Sequence, residues 1–519
     1  MAVTRRQYRW WRGPGAVLAA LLVGAALGAG PARAAAFRIA VGIDPDTMDP
    51  VQTTTTTVGN LVDYTVETLT TIDEAGRILP LLAEGWTVSA DGRQYTFRLR
   101  PGVRFHDGSP FDAKAVKWNF DRLIDPAVRV PIRAAYPIEK TDVVDPLTVR
   151  VTLKHPYAAF LGALSSTTSG LLSPASAAAP GNDYKNYVHI VGTGPYTLTE
   201  RRKGESLVFA RYLAYWGRPT SYESVVVRIV PEAATRESLL LAGQVDLIIL
   251  PPLADVPALQ RNPSLKVLLA PSDRTIFVAI NTRKPFLSDR RVRQALNYAV
   301  DKAAIVKNVL FGAADPMDAP MASTLFGYCR TGAYAHDPTR AKTLLAQAGI
   351  KPGTRLQLLH PTGRYVQDKE AAQAIAGYLR EVGLVVELQT MDWPSYVATI
   401  STPAERNTTQ LHFLGWAPPF LDASQQALQF LSTYAPPGGL ATSFYANPEV
   451  DRLILAAEQE LSPDRRRSLY CEASKQVWED APWVFLWVQR FSIVYSAKVT
   501  DVGSLPNEKF AAVHARPAR

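Results

Sequence analysis

Two cysteines and seven histidines are the side chains that could hold a metal or act as nucleophile and base, and their placement argues against most of that chemistry. Cys329 and Cys471 lie far apart and neither has a CxxC neighbour, so a metal site is the weakest reading of them. In an exported chain a single disulfide between them is expected, with two buried thiols as the alternative. The histidines are scattered, and His106, inside a hairpin signal, is assigned a structural role. No GxSxG elbow, HExxH pair or SxxK with companions places a nucleophile, a base or paired carboxylates, so a secreted hydrolase is the weaker alternative. Gly192-Thr193-Gly194-Pro195-Tyr196 lacks the spacing and the following helix of a phosphate-binding loop, so turn chemistry explains its glycines.

The elements around these residues are clearer than any catalytic pattern. Within residues 79–121, Trp86 and Val88 lead into Asp91-Gly92, and Tyr95, Phe97 and Leu99 then alternate with polar residues, which predicts a hairpin with one buried face. Turns follow at Pro101-Gly102 and Asp107-Gly108, and Asp112 caps a helix with Val116, Phe120 and Leu123 on one side. Phe37, Ile39, Val41 and Ile43 alternate as a strand, and helical spacing is read over 61–69. Ile276, Val278 and Ile280 form another strand, after which Ser288 or Asp289 caps a helix carrying Val292, Ala295, Leu296 and Ala299. Asp337-Pro338, Asn447-Pro448 and Ser462-Pro463 each place proline at a first helical position, and 483–488 is a dense apolar strand.

Three stretches, 79–121, Gly192 to Tyr196 and 275–306, together resemble the family 5 extracellular solute-binding proteins, which deliver peptides, opines, nickel complexes and related solutes to ATP-driven permeases. The resemblance implies an α/β protein of two lobes of the type II, cluster C-like periplasmic binding class. Mixed sheets with helices are joined by two crossing strands near 275–281 and 483–489. It divides the chain into a leader (1–36), first-lobe core (37–70 and 190–276) with an extra subdomain (71–189), a second lobe (277–484) and a return (485–519).

By the same resemblance the cleft between the lobes is the site, and the chemistry of its residues can be stated. Trp416, in the segment His412 to Asp422, would stack on a planar group of the solute, with Phe420 beside it. Dipeptide binders carry an aspartate three residues after that tryptophan to hold the ammonium. Here Pro419 stands there, and Asp422 is either the replacement or the cap of a helix over 423–430. Arg364 matches the place of a carboxylate-gripping arginine, with Tyr365 next to it, and Trp393 is either cleft wall or core. Thr54, Thr55 and Thr56 match an early loop at the cleft mouth. Should the solute be a nickel chelate, His412 is the natural ligand. No cofactor is expected. The expected partners are a peptide or other small solute and the membrane subunits of a permease with their ATPases, for a monomeric binding protein.

Charge and targeting signals fit that picture. Arg5, Arg6, Arg9 and Arg12 precede an apolar run over 16–30 and then Pro31-Ala32-Arg33-Ala34-Ala35-Ala36, the order of a signal peptide cleaved near Ala34 to Ala36, with export to the periplasm. Five of the 56 basic residues and none of the 47 acidic ones lie in that leader. The remaining balance is therefore only mildly basic, without a Lys/Arg stripe, and nucleic acid is not an expected partner.

Overall fold

The computed structural model describes residues 36–53, 55–361 and 364–518. The leader reading lies outside them but for Ala36, where the first strand, Ala36–Val41, begins.

Two long strands organise the molecule. Leu265–Ile280 and Trp483–Ser496 run antiparallel through the middle of an 11-stranded sheet. Their ladder runs from Leu265 opposite Ser496 to Pro271 opposite Arg490, breaks, and resumes from Thr275 opposite Val488 to Ala279 opposite Trp483. On one side of the break the second strand continues into Leu247–Ile249, then Ala36–Val41, Ser224–Ile229, Ser206–Arg211 and Tyr196–Arg202. On the other side the first strand pairs with Leu411–Trp416, followed by Arg355–Pro361 and Val385–Met391. The two halves of this sheet are the cores of two lobes, and the break at 272–274 is where the chain passes between them. The sequence reading gave residues 485–489 to the returning first lobe. In the ladder, Phe485, Trp487 and Val488 pair with Phe277, Ile276 and Thr275, on the side of the break that continues into Leu411–Trp416.

Ile276 through Ile280 are all buried, as a strand covered on both faces requires. Phe277 stacks on Trp483 with ring centroids 3.4 Å apart, and Phe430 closes on the same indole at 4.4 Å. Each such side chain contributes about 1.5–3 kcal/mol by leaving water. The 79–121 segment folds as read: Ala83–Val88 and Gln94–Leu99 form the hairpin, Gly92 takes a positive φ of 67° at its turn, and Asp112 caps Ala113–Ile124 by accepting from the Ala115 N–H. With Ile138–Asp145 and Thr148–Leu153 they build a four-stranded subdomain whose core includes Phe97, Phe105, Val116, Phe120 and Val151. The three proline-opened helices are Pro338–Gln347, Pro448–Gln459 and Pro463–Asp480.

One helix is displaced from its reading. The segment runs Thr56–Val62 rather than 61–69, because Tyr64 and Thr65 are engaged by the glycine-rich loop. Gly194 N–H donates to the Thr65 carbonyl at 2.9 Å and Tyr196 N–H to the Tyr64 carbonyl at 3.0 Å. A side chain on Gly192 would begin only 2.1 Å from the Thr65 oxygen, so glycine is needed there for close backbone approach.

A second buried support sits under this lobe. Arg122 and Asp49 are both fully buried and paired through two hydrogen bonds, Nη1 to Oδ1 at 2.9 Å and Nη2 to Oδ2. Arg122 Nε also donates to the Tyr184 carbonyl and Tyr187 N–H to Asp49, so the pair fastens three separate segments.

Candidate functional site

The site begins at the break in the crossing strands. Where ladder bonds are missing between 271 and 275, side chains take their place. Ser272 Oγ donates to the Gln489 carbonyl at 2.6 Å, Thr324 Oγ1 donates to the Ser272 carbonyl at 3.1 Å, and Asp273 N–H reaches the Pro506 carbonyl at 2.9 Å. Arg274 forms a bidentate pair with Glu508, Nε to Oε1 at 2.9 Å and Nη2 to Oε2 at 2.5 Å, and both side chains are largely buried. Asn60, in the second turn of Thr56–Val62, donates to the Glu508 carbonyl and accepts from the Phe510 N–H. The hinge is thus tied to the C-terminal segment and to the helix that Thr56 opens.

From this floor rises a wall supplied by the second lobe. Thr275 stands opposite Trp416 in the ladder and its hydroxyl contacts the Trp416 carbonyl at 3.3 Å. The Gln426 amide N–H2 lies 3.4 Å from the Thr275 hydroxyl and 3.2 Å from the Pro320 carbonyl. Next to Trp416, Gly415 leaves room for Tyr365: a methyl there would sit 2.6 Å from both the Ile276 side chain and the Tyr365 ring. Tyr365 donates its hydroxyl to the Gly415 carbonyl at 3.1 Å and meets Trp393 edge-on at 6.1 Å. The Arg364 guanidinium lies over both rings, 4.9 Å from Tyr365 and 5.0 Å from Trp393, and forms no ion pair among the described residues. Asp368 holds this loop by accepting from the Arg364 and Tyr365 N–H groups. Arg364, Tyr365, Trp393 and Trp416 therefore converge near the break. Thr55 caps the neighbouring helix without a side-chain bond, Thr56 is its first residue, and Thr54 lies outside the described residues.

Several buried polar atoms here have no partner among the described residues: both Asp273 carboxylate oxygens, the Trp416 indole N–H and the Gln426 amide oxygen. An unsatisfied buried polar group costs about 1–3 kcal/mol, so several of them gathered at one place call for a partner such as a bound solute or water. Asp273 and Gln426 were not among the residues picked out from sequence. The available signal was the polar tetrapeptide Pro271-Ser272-Asp273-Arg274 interrupting an otherwise apolar strand.

Three readings are corrected. Asp422 caps Ala423–Ala427 by accepting from the Ser424 N–H, and both its oxygens accept from Arg466, at 2.8 and 2.6 Å. Its carboxylate is spent on the fold and is not free for a solute ammonium. Phe420 belongs to the core of the first-lobe subdomain, against Gly162, and so is a lobe-to-lobe contact rather than a cleft wall. His412 is fully buried inside the second-lobe sheet, its Nε2 2.7 Å from the Thr442 hydroxyl, and burial pushes its pKa down to about 3. No group of three metal-donor side chains surrounds it or any other of the described residues, so His412 is a neutral core imidazole. The disulfide between Cys329 and Cys471 is formed.

Around the rim the lobes touch. Tyr157 of the subdomain receives a hydrogen bond from Gln425 at 3.2 Å, the Ala158 N–H meets the Glu458 carbonyl at 3.4 Å, and Leu421 and Leu461 lie against Gly76 and Gly92.

The sequence over residues 77–437 matches the family model of the bacterial extracellular solute-binding proteins, family 5 Middle. The chain belongs to that family. Among family 5 relatives, the glutathione-binding protein GsiB of Pectobacterium atrosepticum is 31% identical over 518 residues, 98% of each chain. GsiB of Salmonella typhimurium is 31% identical over 501 residues, 95% of this chain and 97% of that one. Among solved structures, the periplasmic binding protein DppA of Helicobacter pylori in complex with the peptide STSA is 25% identical with a TM-score of 0.80, covering 93% of this chain and 98% of that one. In the same family 5 fold, the dipeptide-binding protein of a Pseudoalteromonas species in complex with Met-Leu superposes with a TM-score of 0.82 at 24% identity, over 93% of this chain and all of that one.

Proposed function

We propose that this protein is the solute-capturing component of an ATP-driven importer, closing its lobes on a peptide-like solute of the glutathione type and passing it unchanged to the permease. The observation that carries the reading is the set of polar atoms at the hinge without partners among the described residues, with an arginine that has no ion pair among them seated on aromatic rings beside it. A zwitterionic solute complements both. An arginine fork suits a carboxylate, and Trp416 supplies an apolar wall with one N–H to give. The likeness to glutathione- and peptide-binding relatives supports the same class of solute. No helix among the described residues is long and apolar enough to cross a membrane. With the leader read as a signal peptide, the protein works in the periplasm as a monomer beside its membrane partners.

Glutathione, a dipeptide panel, an opine and a nickel–histidine chelate would each be added to the purified protein while thermal unfolding is followed. A solute at about 100-fold its Kd is expected to stabilise by about 2.7 kcal/mol, and to be recovered intact. Stabilisation by the chelate alone, or consumption of any solute, would overturn the reading. Arg364→Ala should weaken glutathione binding by about 10- to 100-fold in calorimetry, the value of a charged hydrogen bond, with Arg364→Lys recovering only part of it.

A further inference from the structure

The strongest unexplained group in the molecule is Asp273. It is fully buried, neither carboxylate oxygen has a hydrogen-bond partner among the described residues, and it lies in the three residues where the first crossing strand leaves one lobe for the other. The protein supplies no cation for it. Its neighbour Arg274 is held by Glu508 through two bonds, and the Glu508 charge opposes ionisation of Asp273 more than Arg274 favours it. Burial raises the Asp273 pKa well above its ordinary value, the direction expected of a carboxyl without a cation beside it.

The acceptor that sequence suggested for a solute ammonium, Asp422, is saturated by Arg466 and Ser424. Buried acceptors without a partner among the described residues at the hinge include the two Asp273 oxygens, Oδ1 of Asn507 on the C-terminal segment, and Oε1 of Gln426, whose amide is bonded to Thr275 two residues along the same strand as Asp273. An ammonium has three N–H donors and no acceptor, so it would use such a set fully.

We infer that Asp273 binds the ammonium of the solute, with Gln426 as a second acceptor, and that it takes the place Asp422 cannot fill. This rests on the reading that the cleft receives a peptide-like solute. The position has a mechanical consequence: the charge that is neutralised lies within the hinge, so a solute lacking its amine leaves the crossover with a buried group still unsatisfied.

The test is calorimetric, with glutathione and dipeptides compared against their N-acetylated forms on wild type and on Asp273→Asn. Wild type is expected to prefer the free amine by about 10- to 100-fold, and Asp273→Asn to bind both forms with the same, weaker affinity. A wild type indifferent to acetylation overturns the assignment while leaving the peptide-like reading standing. A preference that persists in Asp273→Asn does the same. If no form of any solute binds wild type, both fall together. A fold control comes from the unliganded proteins: the asparagine variant should melt no lower than wild type at pH 8, because removing an unpaired buried carboxylate relieves a cost rather than breaking a bond, and a clear loss of stability would overturn the assignment.

Discussion

Asp422→Ala is expected to lose about 3–5 kcal/mol of stability, the cost of leaving a buried charge uncompensated. Arg466 is 4% exposed on its side chain, donates to both Asp422 oxygens and to the Ala457 carbonyl, and lies over the rings of Phe326 and Tyr470. Without Asp422, a carboxyl that still feels the Arg466 charge is that of Glu458. Burial raises Glu458 to about 7 while Arg466 pulls it down and Asp422 pushes it up. Deleting Asp422 removes the upward push, so Glu458 ionises at a lower pH in the variant and partly replaces the lost partner. The deficit in urea midpoint should therefore grow as the pH is lowered from 8 through the range in which Glu458 takes up its proton and ceases to pair. The double change Asp422→Leu with Arg466→Met should recover most of the loss, since apolar groups of similar volume leave no charge behind. A single variant as stable as wild type would show the pair to be idle.

Breaking the Cys329–Cys471 bond is the second large effect. The cysteines are separated by 142 residues, and closing a loop of that size is worth about 2–5 kcal/mol through the entropy of the unfolded chain. The bond also has a local task. It fixes the loop after Met317 to the helix Pro463–Asp480, and that loop delivers the Pro320 carbonyl to Gln426 and the Thr324 hydroxyl to Ser272 at the hinge. Cys329→Ser with Cys471→Ser should accordingly lower the urea midpoint and also weaken glutathione binding. A midpoint unmoved by the double substitution, or by reductant, would remove the bond from the account.

Local signals in the chain were strong wherever one interaction dominated. Asp91-Gly92 made its turn because glycine accepts a positive φ, and the three proline-opened helices started where proline's missing N–H costs nothing. The pairing of Cys329 with Cys471 followed from counting and compartment. What could not be read was where a side chain goes when two distant segments compete for it. Asp422 was equally a cap and an ammonium acceptor until Arg466, on another helix, took both oxygens. Phe420 looked like a cleft aromatic until the subdomain enclosed it. The helix expected over 61–69 stopped at Val62 because glycines 130 residues downstream claim the backbone of Tyr64 and Thr65. Asp273 was hidden for the converse reason: its importance lies in bonds that no part of the chain supplies.

The lock on the hinge is made by the tail. Pro506 and Glu508, which fasten Asp273 and Arg274, come after the return crossing strand in chain order. A nascent or translocating chain can therefore assemble the second-lobe core while the joint is still slack. Because Phe510, Ala512 and Ala515 of the same segment also enter the first-lobe core, removing the chain from Pro506 onward would loosen the joint and open that core together.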